Sequence, residues 1–481
     1  MSERIEILFE DALPVMAPGA GLHFVGIGGI GMSGLAGMLA EQGYKVTGSD
    51  RGADRPENRR IIGALENAGV RIFPQDGSFR KACEPDFLIY SSAIEEDNAD
   101  FAAAPDIPRI HRSAALAAAI NAMNGCCSIA VSGSCGKTTV TGWLGETMYL
   151  AGMDPTCLNG GLMNRFRSEC NAGNYRHGNG GYMVFEADES DRSLVTYSPD
   201  YGLIMNIGTD HYSKEELAEV FGRFIGKLKK GVIVEKDAWL RLKKYIPSRL
   251  KTVVFDGDGL EGDWRLTGYR YHDGKITAEI NGSLAIELPM SGRHNAVNAM
   301  AIVAVMDVLG VAPERTAALL KEFKGVWRRF DYAGRTVNGA RVYDDYAHNV
   351  EKIASCIASA QELTPDGRVF AVFQPHGFGP FGFMRGELLS ALEKVLRPDD
   401  CFVFLPPFYA GGTSSFSPTS QEVAEEYRTK GRRRYEVYSE RNELAAMLTR
   451  EAGERDLILI MGARDNSLSD WASEISSPGG K

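Results

Sequence analysis

Short apolar runs alternate with longer amphipathic ones along most of the chain. Leu22–Gly28 (LHFVGIG) reads as a buried strand, Gly31–Gly43 as a helix and Tyr44–Asp50 (YKVTGSD) as a second strand. Arg59–Gly69 has helical spacing, and Arg71–Pro74 and Asp86–Ser92 (DFLIYSS) are strand-like. That rhythm predicts βαβ units and a parallel sheet. A helical run, Ser113–Asn124, then leads into a new strand, Cys127–Gly133 (CSIAVSG), so the first domain boundary is placed near Asn121.

The middle of the chain repeats the pattern. A Gly-rich turn follows Cys127–Gly133, then a helix through Thr139–Gly152, then buried strands at Tyr182–Asp188 and Tyr201–Gly208. From Asp256 to Ser291 the apolar positions alternate, which predicts antiparallel strands. Asn295–Gly310 and Pro313–Phe323 are helical, and the second boundary is placed near Gly325. The third segment restarts with strands at Ala340–Ala347, Arg368–Pro375, Asp400–Pro407 and Arg455–Gly462. The expectation is an α/β chain of three domains, 1–120, 121–325 and 326–481.

Composition narrows the classes. The 481 residues exceed one compact core, and 44% hydrophobic with 24% charged residues fits a globular protein. A formal net charge of −10 disfavours a globally basic nucleic-acid binder, so no nucleic-acid partner is expected. Ala12–Ala40 holds no formal charge, yet its eight glycines with Pro14 and Pro18 break any membrane span. Membrane insertion is therefore not expected. Glu3, Glu6 and Glu10 do not make the basic start of a signal peptide, so cytoplasm is the expectation. The eight cysteines include no CxxC pair, which argues against a zinc site and fits reduced thiols.

Five constellations carry chemistry. Gly26–Gly31 fits GxGxxG between a strand and a helix, with Asp50 at the end of the next strand. Such a turn lets backbone approach a pyrophosphate, and the acid can accept from a ribose hydroxyl. Gly133-Ser134-Cys135-Gly136-Lys137-Thr138-Thr139 resembles a phosphate loop, although Val131 replaces its first glycine. Its amides can cradle phosphates, Lys137 can neutralise them and Thr138 can hold Mg²⁺. Glu186-Ala187-Asp188-Glu189-Ser190-Asp191 packs four carboxylates after a strand, and Asp210-His211 follows another. Such crowding needs a cation nearby, and a solvated loop is the plain alternative. Asn295 and Asn298 share a helix face where amides can read a purine edge, or simply cap and pack. Arg328-Arg329 and Asp344-Asp345-Tyr346-Ala347-His348 offer a phosphate clamp at a domain junction, or a surface ion-pair site. A dehydrogenase needs only the first loop and a simple ATPase only the second. Both together suggest ATP spent on a nucleotide-bearing substrate. An NAD-type oxidoreductase and a non-catalytic nucleotide-binding module stand as the readings from other classes.

The ordered series HFVGIGGIGMSG, VTGSD, YSSAI, GSCGKTT, EADESD, NIGTDH, GRHNAVNA, GVWRRF, DDYAH, FQPH and MGARD resembles the Mur ligases over nearly the whole chain. The resemblance implies a Rossmann-like UDP-binding domain, a central P-loop ATPase domain carrying a small antiparallel sheet, and a C-terminal Rossmann-like domain. It implies an ATP-dependent, ADP-forming ligation through an acyl phosphate in peptidoglycan precursor synthesis. The partners are a UDP-N-acetylmuramate-type substrate and an amino acid, L-alanine foremost, with another amino acid or a peptide as the alternative. ATP and Mg²⁺ are the implied cofactors, and the oligomeric state stays open. By the match, Gly28, Gly29, Gly31, Ser33, Asp50, Ser91 and Ser92 hold the UDP part. Gly133, Ser134, Cys135, Gly136, Lys137, Thr138 and Thr139 bind ATP, Lys137 acting on the transferring phosphoryl group. Thr138, Glu186 and His211 hold the metal. Asn295, Asn298, Arg329, Asp345 and His348 contact ATP, and His376 faces the incoming amino acid.

The chain also departs from that family. Cys135 stands where its phosphate loops carry His or Asn. Asn349-Val350 follow DDYAH in place of His-Pro. After FQPH the alanine-adding branch continues with two arginines, whereas this chain reads Gly377-Phe378-Gly379-Pro380-Phe381-Gly382-Phe383. Arg385 lies out of register, and Arg464 occupies a glycine position. These changes bear on the acceptor amino acid.

Overall fold

The computed structural model describes residues 15–55, 58–123, 125–189, 192–208, 214–272, 275–409 and 416–476. Three sheets organise them. The first has five parallel strands in the order β3-β2-β1-β4-β5: β1 Gly21–Val25, β2 Lys45–Ser49, β3 Arg71–Phe73, β4 Phe87–Tyr90 and β5 Arg109–His111. From Gly21 onward the uncharged stretch is β1, a glycine turn and the helix Ile30–Glu41. Among the described residues no helix is long and apolar enough to cross a membrane.

The second sheet runs β15-β14-β13-β12-β11-β10-β6-β9-β7-β8. Its strands are β6 Cys127–Ser132, β7 Thr156–Leu158, β8 Tyr175–Arg176, β9 Tyr182–Glu186, β10 Tyr201–Ile204, β11 Gly231–Glu235, β12 Lys251–Asp256, β13 Trp264–His272, β14 Lys275–Ile280 and β15 Leu284–Leu288. The pairs around β6 are parallel, with Val131 opposite Leu203 on one side and Glu186 on the other. The expected antiparallel stretch appears as β14 against β15, whereas β12 and β13 pair in parallel at Phe255 and Trp264. The third sheet runs β16-β17-β21-β18-β19-β20: β16 Asp331–Arg335, β17 Arg341–Asp345, β18 Val369–Gln374, β19 Cys401–Phe404, β20 Arg434–Val437 and β21 Leu457–Gly462. Only its β16 edge is antiparallel.

The chain forms two compact units. One holds the first two sheets; the other holds the third sheet with Met290–Arg293. In the first unit, close contact between sheets depends on small residues. A Cβ on Gly37 of the helix Ile30–Glu41 would lie 2.4 Å from the Tyr175 ring, and one on Gly34 2.9 Å from Leu158. Ser33 seals the same contact. Its hydroxyl is bound to Gly29 O at 2.9 Å and accepts from Asn174 Nδ2 at 2.7 Å. The helix Lys137–Leu150 is anchored by Trp143, which is wholly buried, stacks on Phe323 at 5.1 Å and donates to Leu320 O at 3.0 Å. In the second unit, alternate residues of β18 face opposite cores. Ala371 and Phe373 pack with Ile353, Phe381 and Leu388; Phe370 and Val372 pack with Leu444, Leu468 and Trp471.

Candidate active site

The glycine turn after β1 is held from below by Asp50. Its carboxylate accepts from Gly28 N–H and Gly52 N–H, both at 2.8 Å. A Cβ at Gly28 would sit 2.8 Å from that carboxylate, so only glycine fits. Gly29 caps the helix Ile30–Glu41 without a side-chain hydrogen bond. Above Gly31 lies the Arg112 guanidinium, 2.5 Å from where a Cβ would stand. Arg112 opens the helix Arg112–Ala122 and brings a cation to an anion-accepting turn, a residue the motif reading missed. Ser91 and Ser92 follow β4, at the same strand ends, half-buried and exposed respectively. Ser33, by contrast, is 2% exposed and committed to the packing described above.

The second turn follows β6. Gly133 and Gly136 take φ of +135° and +87°, the left-handed side that glycine adopts without strain. Gly136 caps the helix Lys137–Leu150 with no side-chain bond, so no side chain covers the amides that open the helix. Asn206, from the NIG segment after β10, braces the loop: its Oδ1 accepts from Cys135 N–H at 2.8 Å and its Nδ2 donates to Cys135 O at 3.0 Å. Ser134 Oγ accepts from Gly208 N–H at 2.8 Å. Thr139 is half-buried in the first turn of the helix.

Lys137 points back across the loop. Its Nζ donates to Gly133 O and to Glu189 Oε2, each at 2.8 Å, with Asp188 at 3.6 Å. Burial works against the ammonium, but the carboxylates of Glu189, Asp188 and Glu186 outweigh it and hold its pKa above the usual range. Burial in turn pushes Glu189 up against the pull of Lys137. Lys137 therefore supplies the cation that the crowding of the acidic run called for. Thr138 Oγ1 donates to Glu186 Oε1 at 3.3 Å, and the other carboxylate oxygen accepts from Gly160 N–H at 3.0 Å. A Cβ at Gly160 would come within 2.5 Å of that carboxylate, so the glycine keeps the cradle open. Hydroxyl and carboxylate together are hard oxygen donors of the kind Mg²⁺ takes, one or two protein ligands sufficing. His211, with Ser190, Asp191 and Asp210, lies outside the described residues.

Asn295 and Asn298 sit on one buried face of the helix Arg293–Val308, Asn298 Nδ2 donating to Asn295 Oδ1 at 3.1 Å. Asn298 Oδ1 lies 3.2 Å from the Cβ position of Gly136, so this face rests against the phosphate loop. A further residue escaped the motif reading. Asn159 is 1% exposed and both its amide atoms lack a hydrogen-bond partner among the described residues. The adjoining LNGG run held no feature that separates it from a turn.

In the second unit the arginine doublet divides. Arg328 is buried, pairs with Asp344 at 3.2 Å and donates to Gly462 O and Asp465 O. Arg329 is half-buried, with its guanidinium 5.3 Å from the Tyr346 ring centre. Burial pushes the Asp344 carboxyl up to about 6 despite Arg328. Asp345 accepts from Phe330 N–H at 2.6 Å and Ala347 N–H at 2.7 Å, so it orders the strand-end loops. His348 Nδ1 is 2.9 Å from Tyr346 O, and its ring centre is 5.2 Å from that of His376. Burial, then the charge of Lys352, lowers His348 to about 4, so it is a neutral imidazole at neutral pH.

Known proteins align with the whole of this arrangement. Three family models match in order: "Mur ligase family, catalytic domain" over residues 21–123, "Mur ligase middle domain" over 131–306, and "Mur ligase, glutamate ligase domain" over 328–464. A UDP-N-acetylmuramate–L-alanine ligase of Synechococcus sp. is 33% identical, covering 92% of this chain and 93% of its own. One from Chelativorans sp. is 32% identical over 94% and 96%. The crystal structure of a UDP-N-acetylmuramate–alanine ligase from Thermotoga maritima superposes with a TM-score of 0.78 at 25% identity, over 94% of this chain and 98% of that one. A murein peptide ligase from Psychrobacter arcticus shares the fold at a TM-score of 0.65 and 21% identity, over 95% and 100%. The fold is the three-domain α/β type of these enzymes, and neither an oxidoreductase nor a non-catalytic module accounts for it. With its three modules in order and over nine-tenths of its length aligned, the chain belongs to the Mur ligase family of ligases.

Proposed function

We propose that this chain joins L-alanine to the lactyl carboxylate of UDP-N-acetylmuramate at the expense of ATP, in the making of peptidoglycan precursor. The observation that carries this reading is the loop after β6, where Lys137, Thr138 and Glu186 converge, in a chain similar end to end to ligases of that name. Residues 1–120 take the UDP part, 121–325 the ATP, and 326–481 the amino acid together with ATP.

The carboxylate oxygen attacks the γ-phosphorus and the bond to the β-phosphate bridging oxygen breaks. ADP leaves and an acyl phosphate remains. The amine nitrogen then attacks the acyl carbon, the C–O bond to phosphate breaks, and the amine gives up a proton as the amide forms. Both reactants of the first step are anions, so neutralising and positioning them is the main task. Lys137 exchanges Glu189 for phosphate oxygens, and the amides at the start of the helix Lys137–Leu150 hold the triphosphate. Thr138 and Glu186 would hold Mg²⁺, with His211 added by the family match, and the ion would neutralise phosphate charge. Asn159 offers its unused amide on the same wall. Asn295 and Asn298, beside Gly136, contact the nucleotide, and the family match gives Arg329, Asp345 and His348 the same ligand. Gly28, Gly29, Gly31, Asp50, Ser91 and Ser92, with Arg112, receive the UDP pyrophosphate and ribose, Ser33 acting through the packing of its helix. The enzyme works in the cytoplasm.

Phosphate release from ATP tests this with UDP-N-acetylmuramate and each standard amino acid. Release should require both substrates and be fastest with L-alanine. Release independent of any amino acid would overturn the ligase reading. One observation favours a second acceptor: the helix Phe378–Val395 opens with uncharged Gly377–Phe383, and Phe383 is 94% exposed. Faster release with another amino acid or a short peptide would select it.

A further inference from the structure

In the third sheet β17, β21 and β18 lie side by side, all parallel. The loops leaving β17 and β18 lead to the helices Val350–Leu363 and Phe378–Val395 on one face. The loop leaving β21 leads to Ser467–Ser476 on the other. Where neighbouring loops diverge to opposite faces, a crevice opens at the carboxyl ends of the strands. Three residues stand at that divergence: His348 after β17, Arg464 after β21 and His376 after β18.

Arg464 is anomalous there. Its φ is +68°, a left-handed backbone that strains an L-residue and that glycine adopts freely. Its N–H lies 3.4 Å from Tyr346 Oη, which ties the loop to the one carrying His348. Its side chain is exposed and has no carboxylate within ion-pair distance among the described residues. The neighbouring arginines differ: Arg328 is neutralised by Asp344 and Arg441 by Asp465. The register Gln374↔Gly462 brings the loops of His376 and Arg464 side by side, and the rings of Tyr346, His348 and His376 follow one another at 5.7 Å and 5.2 Å. Burial, and then the Arg464 charge, lowers the pKa of His376. Arg385, the other arginine near this segment, lies 3.9 Å from Glu426 on the flank of its helix.

We propose that Arg464, beside His376, binds the α-carboxylate of the incoming amino acid and makes the enzyme select acceptors with a free carboxylate. This rests on the ligase reading above. A strained backbone is kept where only the side chain is worth keeping. An exposed guanidinium with no carboxylate partner among the described residues offers a planar double donor to a carboxylate.

The test uses the full-length chain with ATP, UDP-N-acetylmuramate and L-alanine, or whichever standard amino acid supports phosphate release. Amino-acid-dependent release by the wild type is the control, and its absence would count against the ligase reading itself. Arg464→Gly suits the left-handed backbone, so folding is retained. It should raise KM for the amino acid about tenfold or more and leave KM for ATP and UDP-N-acetylmuramate within about twofold. The wild type should discriminate against the amide of the same amino acid, and Arg464→Gly should lose that discrimination. Arg464→Lys should restore part of it. Arg385→Ala should behave as wild type. An unchanged amino-acid KM in Arg464→Gly, or a rise in KM for ATP instead, would overturn the assignment.

Discussion

At the scale of single residues, the site turns on where buried charges find partners. Lys137 rests on Glu189 and Gly133 O, so its charge is already positioned, and in the proposed reaction it would exchange that carboxylate for phosphate. Lys137→Ala should lower turnover by about 10²-fold or more. Calorimetric binding of UDP-N-acetylmuramate should persist, and near-normal turnover would refute the phosphoryl-transfer role. Arg328 shows the opposite use of a cation, since it is sealed in the second unit against Asp344. Arg328→Met should destabilise that unit by roughly 3–5 kcal/mol, because it strands a buried carboxyl. His348 adds a pH dependence. Its folded pKa of about 4 lies below the ordinary 6.5, so the unfolded chain binds the proton first. Its contribution to stability is complete above about pH 6.5 and is lost as pH falls toward 4. Asp344, raised to about 6, acts in the opposite sense over an overlapping range. The comparison must therefore be between wild type and His348→Asn: from pH 7 to pH 5 the urea midpoint of the variant should fall less than that of the wild type, or rise, because only the opposing Asp344 effect remains.

At the scale of elements, glycines decide what can approach what. In the helix Ile30–Glu41, Gly37→Ala would gain about 1 kcal/mol of helix propensity. The added methyl would meet the Tyr175 ring at 2.4 Å, and Tyr175 is fixed by its hydroxyl on Glu41 at 2.8 Å. Overpacking of that kind costs about 1–3 kcal/mol, so the net effect should be a lower melting temperature. The strand-turn-helix units were legible because their signals are local: an apolar run, a glycine turn, an amphipathic run. The short strands β7 and β8 were not, since Thr156–Leu158 and Tyr175–Arg176 are too brief for periodicity and exist only through their neighbours.

At the scale of the whole molecule, the chain divides into two compact units, the first with a core around Val25, Phe79 and Leu88 and the second with cores on both faces of its sheet. Calorimetry should resolve two unfolding transitions, with Arg328→Met displacing only one. A single transition displaced as a whole would show the units to be one cooperative body. The formal net charge of −10 is of the wrong sign for anionic substrates. Attraction must therefore come from local cations such as Lys137 and Arg112, while the overall field opposes it.

The amino-acid order alone determined the α/β class, the two phosphate-type turns and the acidic run beside the second, because each is written within a few residues of chain. It could not divide Arg328 from Arg329, give Asp345 its backbone partners, or find Arg112, Asn159 and Asn206. Those outcomes depend on groups far apart in sequence, as when Arg328 meets the carbonyl of Asp465, 137 residues away, or Ser33 the amide of Asn174, 141 away. Whether a polar side chain points to a ligand or into the fold is settled by what the other strands bring beside it, and only the packed molecule assembles that neighbourhood.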